Sequence, residues 1–252
     1  MSTVPLVVGD SSAPRRVLII HGYTGSPDEF RLLAEELATA LKAQVRVPLL
    51  PGHGTHERNL LKVTFDDLLS AVQREVDELQ AEGKPFALVA HSFGGYLALL
   101  ATENVEAVAI ALTVIPYKLR FPLCLPGVAW LMSLRREWGK RLTPEEKKER
   151  RGFHFYPHMP GIALRLVAEG NRRVRAAMGR ITSAVLTIHA YEDPICASDS
   201  GVELLKLAHN PDNKSILLEH ERHGLFIAPH SDEVRGLICD FLVKEFEKHG
   251  QI

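Results

Sequence analysis

A hydroxyl, a carboxylate and an imidazole occur in this chain in the order Ser92, Asp193, His223, each soon after an apolar run. Ser92 lies in "VAHSFGGYLALL", Asp193 directly follows "VLTIHAYE", and His223 lies three residues beyond "SILLEH". A serine hydroxyl is a poor nucleophile near neutral pH. It needs a base within hydrogen-bond reach, and the base needs a group that fixes its tautomer and stabilises its charge. These three residue types can therefore supply nucleophile (Ser92), general base and then acid (His223) and orienting carboxylate (Asp193). The developing oxyanion also needs two N–H donors about 3 Å away, and the backbone of Phe93, just after the nucleophile at a helix start, is one candidate. Each residue also has a simpler reading. Ser92 could cap a helix, Asp193 could form a turn beside the rival carboxylate Glu192, and His223 competes with His220. His91 could serve packing alone, and His21 suits hydrogen-bonding a loop better than acting as a base.

Positioning such groups is the task of the elements around them. Phe86 to Ala90 reads as a buried strand and Tyr96 to Ala101 as a helix, so Ser92 falls where strand becomes helix. "RVLIIHGY" is a strand, followed by a helix from about Asp28 to Leu41 with Leu33, Leu37 and Leu41 on one face. "QVRVPLL" is a short strand that runs into the turn "PGHGTHE". Thr64 opens a helix with Asp67 at the reciprocal capping position and Leu68, Val72, Val76 and Leu79 on one face, and Gly83 ends it. "AVAIALTV" is another strand. After a break the alternation resumes with "AVLTIHAYED", a helix near Ser198 to Ala208, "SILLEH" and a last helix from "SDEV". Apolar strands separated by amphipathic helices predict an α/β fold with a mostly parallel sheet covered on both faces. In such sheets sites collect beyond the carboxyl ends of the strands, where Ser92, Asp193 and His223 all fall.

Taken together, "HGYTGSPDEF", "PGHGTHE", "AHSFGG", "YEDPI" and "ERHGLF" resemble the α/β-hydrolase family, most nearly its small bacterial carboxylesterases and monoacylglycerol lipases. The likeness spans nearly the whole chain outside an insertion, and the order Ser, Asp, His is the family's. Ala90 stands where the family's elbow usually has glycine, and alanine is small enough for that turn. The resemblance implies a serine hydrolase of carboxylic esters working through an acyl-enzyme on Ser92. It also implies the backbone N–H of Tyr23, after His21-Gly22, as the second oxyanion donor. The same fold also serves carbon–carbon bond hydrolases of keto-acid ring-fission products and non-catalytic ligand receptors, and both remain alternatives.

Residues 117–180 interrupt the alternation, with five prolines beyond Pro116 and two helical patterns, about Gly127 to Trp138 and Gly161 to Met178. The expected division is a core of 1–116 and 181–252 with an inserted cap. In the cap, "LRFPLCLPGVAWLMSL" offers Leu125, Val128, Trp130, Leu131 and Met132 as walls of an acyl pocket, or as a face packed on the core. This segment carries 15 Lys and Arg against 5 acids, a net +10, which leaves 15 against 26, or −11, for the rest. Cations beside an apolar stretch could draw the cap weakly to an anionic lipid surface, or they could pair with acids of the core. A small ester, and no nucleic acid, is the expected partner.

No metal or organic cofactor is expected. The 12 histidines include no H-x-x-x-H or H-E-x-x-H pair on a helix, and Cys124, Cys196 and Cys239 have no C-x-x-C spacing. The first residues lack a basic start followed by a long apolar stretch, which predicts a cytoplasmic protein.

Overall fold

The mostly apolar runs become central strands buried on both faces, and three-to-four-residue periodicity becomes the helices that cover them. A computed structural model describes residues 4–121, 123, 126–134, 137–139, 144, 148, 156–227 and 231–250. Its main sheet contains β1 (Leu6–Val8), β2 (Arg15–Ile20), β3 (Ala43–Val47), β4 (Phe86–His91), β5 (Ala109–Thr113), β8 (Ala184–Ala190) and β9 (Lys214–Leu218). The spatial order is β1-β3-β2-β4-β5-β8-β9, parallel throughout except for the β1–β3 edge. Ser92 therefore follows a central strand, with the strands that lead to Asp193 and His223 on one flank.

The side-chain alternation of β2 divides the core. Val17 and Ile19 pack with α1 (Arg31–Ala40) and α7 (Ser231–Lys248), through Leu33, Leu37, Val234 and Ile238. Leu18 and Ile20 face the other layer, α2 (Phe65–Ala81), α3 (Gly94–Ala101) and α5 (Ala163–Ala177), through Leu68, Val72, Leu97 and Val174. A short α6 (Ser200–Leu205) links β8 to β9.

Most of the expected elements form, with shifted ends. The capping box on α2 is made: the Asp67 N–H donates to Thr64 Oγ at 3.1 Å, and the Thr64 N–H donates to Asp67 Oδ2 at 2.9 Å. Such a cap stabilises a helix by about 1 kcal/mol. The helix expected from Asp28 opens instead as a 3₁₀ turn, Pro27–Phe30, before α1. The helix expected over 127–138 is shorter, α4 (Pro126–Ser133), and Glu137–Gly139 (β6) pairs antiparallel with His158–Pro160 (β7). Strand β1 was not predicted, because three residues of mixed exposure carry no periodic signal.

Within 117–180, α5 lies directly over the helix that follows Ser92. A Cβ added at Gly170 would meet the Tyr96 ring at 2.7 Å, so only glycine admits this approach. Tyr96 OH donates to the Pro116 carbonyl at 2.6 Å and to Asn171 Oδ1 at 3.1 Å. Among the described residues no helix is long and apolar enough to cross a membrane.

Candidate active site

Ser92 sits in the left-handed region, at φ 52°, which reverses the chain between β4 and α3. Its N–H donates to the Thr113 carbonyl at 2.7 Å, and the Gly95 N–H donates to the Ser92 carbonyl at 3.0 Å. The helix can start this close to the sheet only because position 94 is glycine: an added Cβ would meet the carbonyl oxygens of Ile20 and His21 at 2.6 and 2.8 Å. Ala90, at the start of the motif, is fully buried and takes part in the parallel ladder.

The three residues singled out from sequence come together. His223 Nε2 lies 2.9 Å from Ser92 Oγ, and His223 Nδ1 lies 2.7 Å from Asp193 Oδ2. Asp193 is 0% exposed, and its other oxygen accepts the N–H groups of Ile195 at 2.7 Å and Cys196 at 3.0 Å. Burial alone would raise the Asp193 pKa, but the His223 imidazole and these two backbone donors outweigh it and hold the carboxyl below its usual range. The rival Glu192 is exposed, as is His220. An arrangement of this kind can pass a proton from Ser92 Oγ to the imidazole while the carboxylate fixes the ring.

The loop after β2 reaches the nucleophile from the other side. A Cβ added at Gly22 would stand 3.4 Å from Ser92 Cβ, and the Tyr23 and Phe93 rings are 5.3 Å apart. His21 is completely buried; its Nδ1–H donates to the Gly22 carbonyl at 2.9 Å, and its Nε2 accepts the Leu50 N–H at 3.1 Å. His91 Nδ1–H donates to Thr113 Oγ at 2.9 Å, and its ring packs 5.5 Å from that of His223.

The motifs gave no sign of several contributors. Thr113 accepts the Ser92 N–H through its carbonyl, and nothing in "AVAIALTV" distinguishes it. Arg120 donates to the carbonyls of Tyr191 and Asp193 at 3.2 and 2.9 Å, strapping the acid's loop to the start of the insertion. Ligand atoms of Asp193, Cys196 and His223 lie within 4.8 Å of one another, a grouping that could suit a metal. Each is already engaged, however, since the Cys196 thiol donates to the Val114 carbonyl at 3.1 Å.

The residues suggested as acyl-pocket walls are less uniform. Val128 and Met132 are half-buried, Trp130 and Leu131 are each 62% exposed, and Leu125 lies outside the described residues. Two arginines within 117–180 pair with acids outside it, Arg173 with Asp66 and Arg180 with Glu103, each at 2.7 Å.

Burial sets a pH limit on the fold around this site. It lowers the pKa of His189, on β8, to about 4 and, with His53 alongside, that of His21 to about 3. Neither ring nitrogen of His189 has a hydrogen-bond partner among the described residues. In the unfolded chain both rings take a proton near pH 6.5, whereas the folded protein keeps them neutral. Their contribution to stability is therefore complete above about pH 6.5 and is lost as pH falls toward about 4 and about 3, at about 1.4 kcal/mol per pH unit for each ring. Urea denaturation at pH 7, 6 and 5 is expected to show this fall, with the slope below pH 6 clearly reduced in His189→Leu. An unchanged slope in that variant would rule His189 out as a source.

Strand order, elbow and the Ser–His–Asp line define the class: an α/β-hydrolase core that presents a serine beyond the end of a central strand. The chain belongs to the alpha/beta hydrolase family, which matches it over residues 17–237. It is 25% identical over 242 residues to a thermostable monoacylglycerol lipase of Bacillus sp. (strain H-257), covering 95% of this chain and 93% of that protein. Similar solved structures include one of LipS and LipT, metagenome-derived lipolytic enzymes, with TM-score 0.79 and 20% identity over 96% of this chain and 98% of that one. Another is a monoacylglycerol lipase of Paleococcus ferrophilus, with TM-score 0.77 and 17% identity over 96% and 98%.

Proposed function

We propose that this protein is a serine hydrolase of carboxylic esters, with medium-chain acyl esters or monoacylglycerols as its substrates. The observation that carries the reading is the continuous line from Ser92 Oγ through both nitrogens of His223 to Asp193, at 2.9 and 2.7 Å. Ser92 Oγ attacks the ester carbonyl as His223 Nε2 accepts its proton. The Tyr23 and Phe93 N–H groups stabilise the oxyanion. His223 returns the proton to the departing alcohol, leaving the acyl group on Ser92, and then activates the water that releases the acid. These steps require no metal or organic cofactor.

The substrate class rests on the relatives, several of which are named as monoacylglycerol lipases or lipolytic enzymes. Residues 117–180 would act as the cap over the acyl chain. In this reading the half-buried Val128 and Met132 would line it, with the exposed Trp130 and Leu131 at its mouth. Cap contact with an anionic lipid surface has less support than pairing with the core, because Arg173 and Arg180 already face core acids.

A rate series on nitrophenyl esters of increasing acyl length tests reaction and pocket together. kcat/KM is expected to peak at medium chains and to exceed that for a dienoic keto acid. The reverse preference would make the protein a carbon–carbon bond hydrolase, and an acylation burst without steady turnover would make it a ligand receptor.

A further inference from the structure

The oxyanion donor assigned to Tyr23 is held by more than its own loop. A trans peptide sets its N–H and C=O in opposite directions, so whatever grips the Gly22 carbonyl aims the Tyr23 N–H. That carbonyl accepts from His21 Nδ1 at 2.9 Å and from the Gly25 N–H at 3.1 Å. The next carbonyl, that of Tyr23 itself, faces His53 Nε2 at 2.6 Å. The one after, of Thr24, accepts the Tyr156 N–H at 3.1 Å. The Gly22 carbonyl is thus held from within its own loop and the next two carbonyls from outside it, so the Tyr23 Cα is pinned on both sides.

His53 and Tyr156 come from distant parts of the chain. His53 belongs to "PGHGTHE", where Gly52 and Gly54 take φ of 79° and 71° to fold the turn, and it is only 4% exposed. Its Nδ1 faces the Pro51 carbonyl at 3.0 Å and its Nε2 the Tyr23 carbonyl at 2.6 Å, so a proton on Nε2 donates to the Tyr23 carbonyl. Tyr156, in the inserted segment just before β7, stacks on the His53 ring with centroids 6.1 Å apart and planes at 25°. Its hydroxyl donates to the Gly52 carbonyl at 3.2 Å and accepts the Thr55 N–H at 3.1 Å. One tyrosine therefore binds both the loop that carries His53 and the loop that carries the oxyanion donor.

We propose that His53 and Tyr156 are positioning residues for ester hydrolysis, forming a clamp that ties the inserted segment to the two peptides just after the oxyanion donor, through the carbonyls of Tyr23 and Thr24. The inference rests on the serine-hydrolase reading above. The clamp touches neither substrate nor reacting atoms, and it acts by keeping the Tyr23 N–H where negative charge develops. Its loss should therefore weaken the transition state and leave ground-state binding nearly unchanged.

The test compares wild type, His53→Ala, His53→Gln and Tyr156→Phe by ester kinetics and by inhibition with an alkyl trifluoromethyl ketone. The serine adds to this ketone to form a tetrahedral oxyanion. Loss of one oxyanion donor costs about a hundredfold or more in kcat, so His53→Ala is expected to lower kcat by about 10- to 100-fold and weaken the ketone by a similar factor. KM should stay within about threefold. His53→Gln, which keeps an N–H donor, should recover part of both losses. Tyr156→Phe keeps the ring but removes the hydroxyl contacts; it should show the same paired loss at about 3- to 10-fold, and it decides the matter if His53→Ala does not fold. A fall in kcat with ketone affinity unchanged, or a rise in KM alone, would overturn the clamp. If Ser92→Ala also keeps ester turnover, or wild type does not bind the ketone, the hydrolase reading has failed instead.

Discussion

Ser92→Ala is expected to remove ester turnover, lowering kcat on the order of a thousandfold or more, while the protein stays folded. The hydroxyl is only partly buried and the side chain is small, so the loss falls on chemistry and not on packing. The same position gives a second, opposite readout. Ser92 holds φ 52°, a conformation that costs an L-residue about 1–2 kcal/mol and costs glycine almost nothing. Ser92→Gly is therefore expected to be as inactive as the alanine variant and about 1 kcal/mol more stable. The strain persists because it lifts the hydroxyl toward His223, which is the trade of stability for function seen at strained sites. Steady-state kinetics and urea denaturation on the two variants measure both effects. A folded alanine variant that keeps most of its activity would remove Ser92 as nucleophile, and a glycine variant less stable than wild type would remove the strain argument.

Asp193→Asn is expected to be almost as damaging, again by about a thousandfold or more in kcat, for a reason specific to the hydrogen bonds here. Asparagine Oδ1 can still accept the N–H groups of Ile195 and Cys196, so the loop keeps its shape. That leaves an amide N–H pointing at His223 Nδ1, and the ring answers by moving its proton to Nε2. An Nε2 that carries a proton donates to Ser92 Oγ and cannot accept from it. Glu192→Gln, at an exposed position beside it, should stay close to wild type. A larger loss at Glu192 than at Asp193 would exchange their roles.

What could be read from sequence follows from where the groups sit. Ser92, Asp193 and His223 each stand just beyond a strand of one sheet whose string is largely apolar, so short strings carried both the chemistry and its placement. The exposed strand β9, with Lys214, Ser215 and Leu217 facing solvent, was legible because "SILLEH" still contrasts with its neighbours. The insertion was not legible in the same way. Proline breaks and mixed polarity leave no sustained period from 117 to 160, so the helix expected over 127–138 overruns α4 and nothing announces the β6–β7 pairing, whereas the pattern over 161–178 returns as α5. The contacts around Tyr23 were hidden for another reason. His53 and Tyr156 are about a hundred positions apart, and "PGHG" by itself announces only a turn. Hydrogen bonds between loops leave no periodicity to read; His21 was the exception, because it is part of the same His-Gly string as the donor.

The order of strands in the sheet has a consequence for the newborn protein. A ribosome that has delivered the chain as far as β8 and the Asp193 loop has supplied the nucleophile, both proposed oxyanion donors and the acid, on six of the seven strands of the main sheet. The proposed base is still missing, because His223 arrives only after β9. Until His223 arrives, Ser92 lacks its proposed base, so on the proposed mechanism the nascent chain is expected to stay silent toward esters.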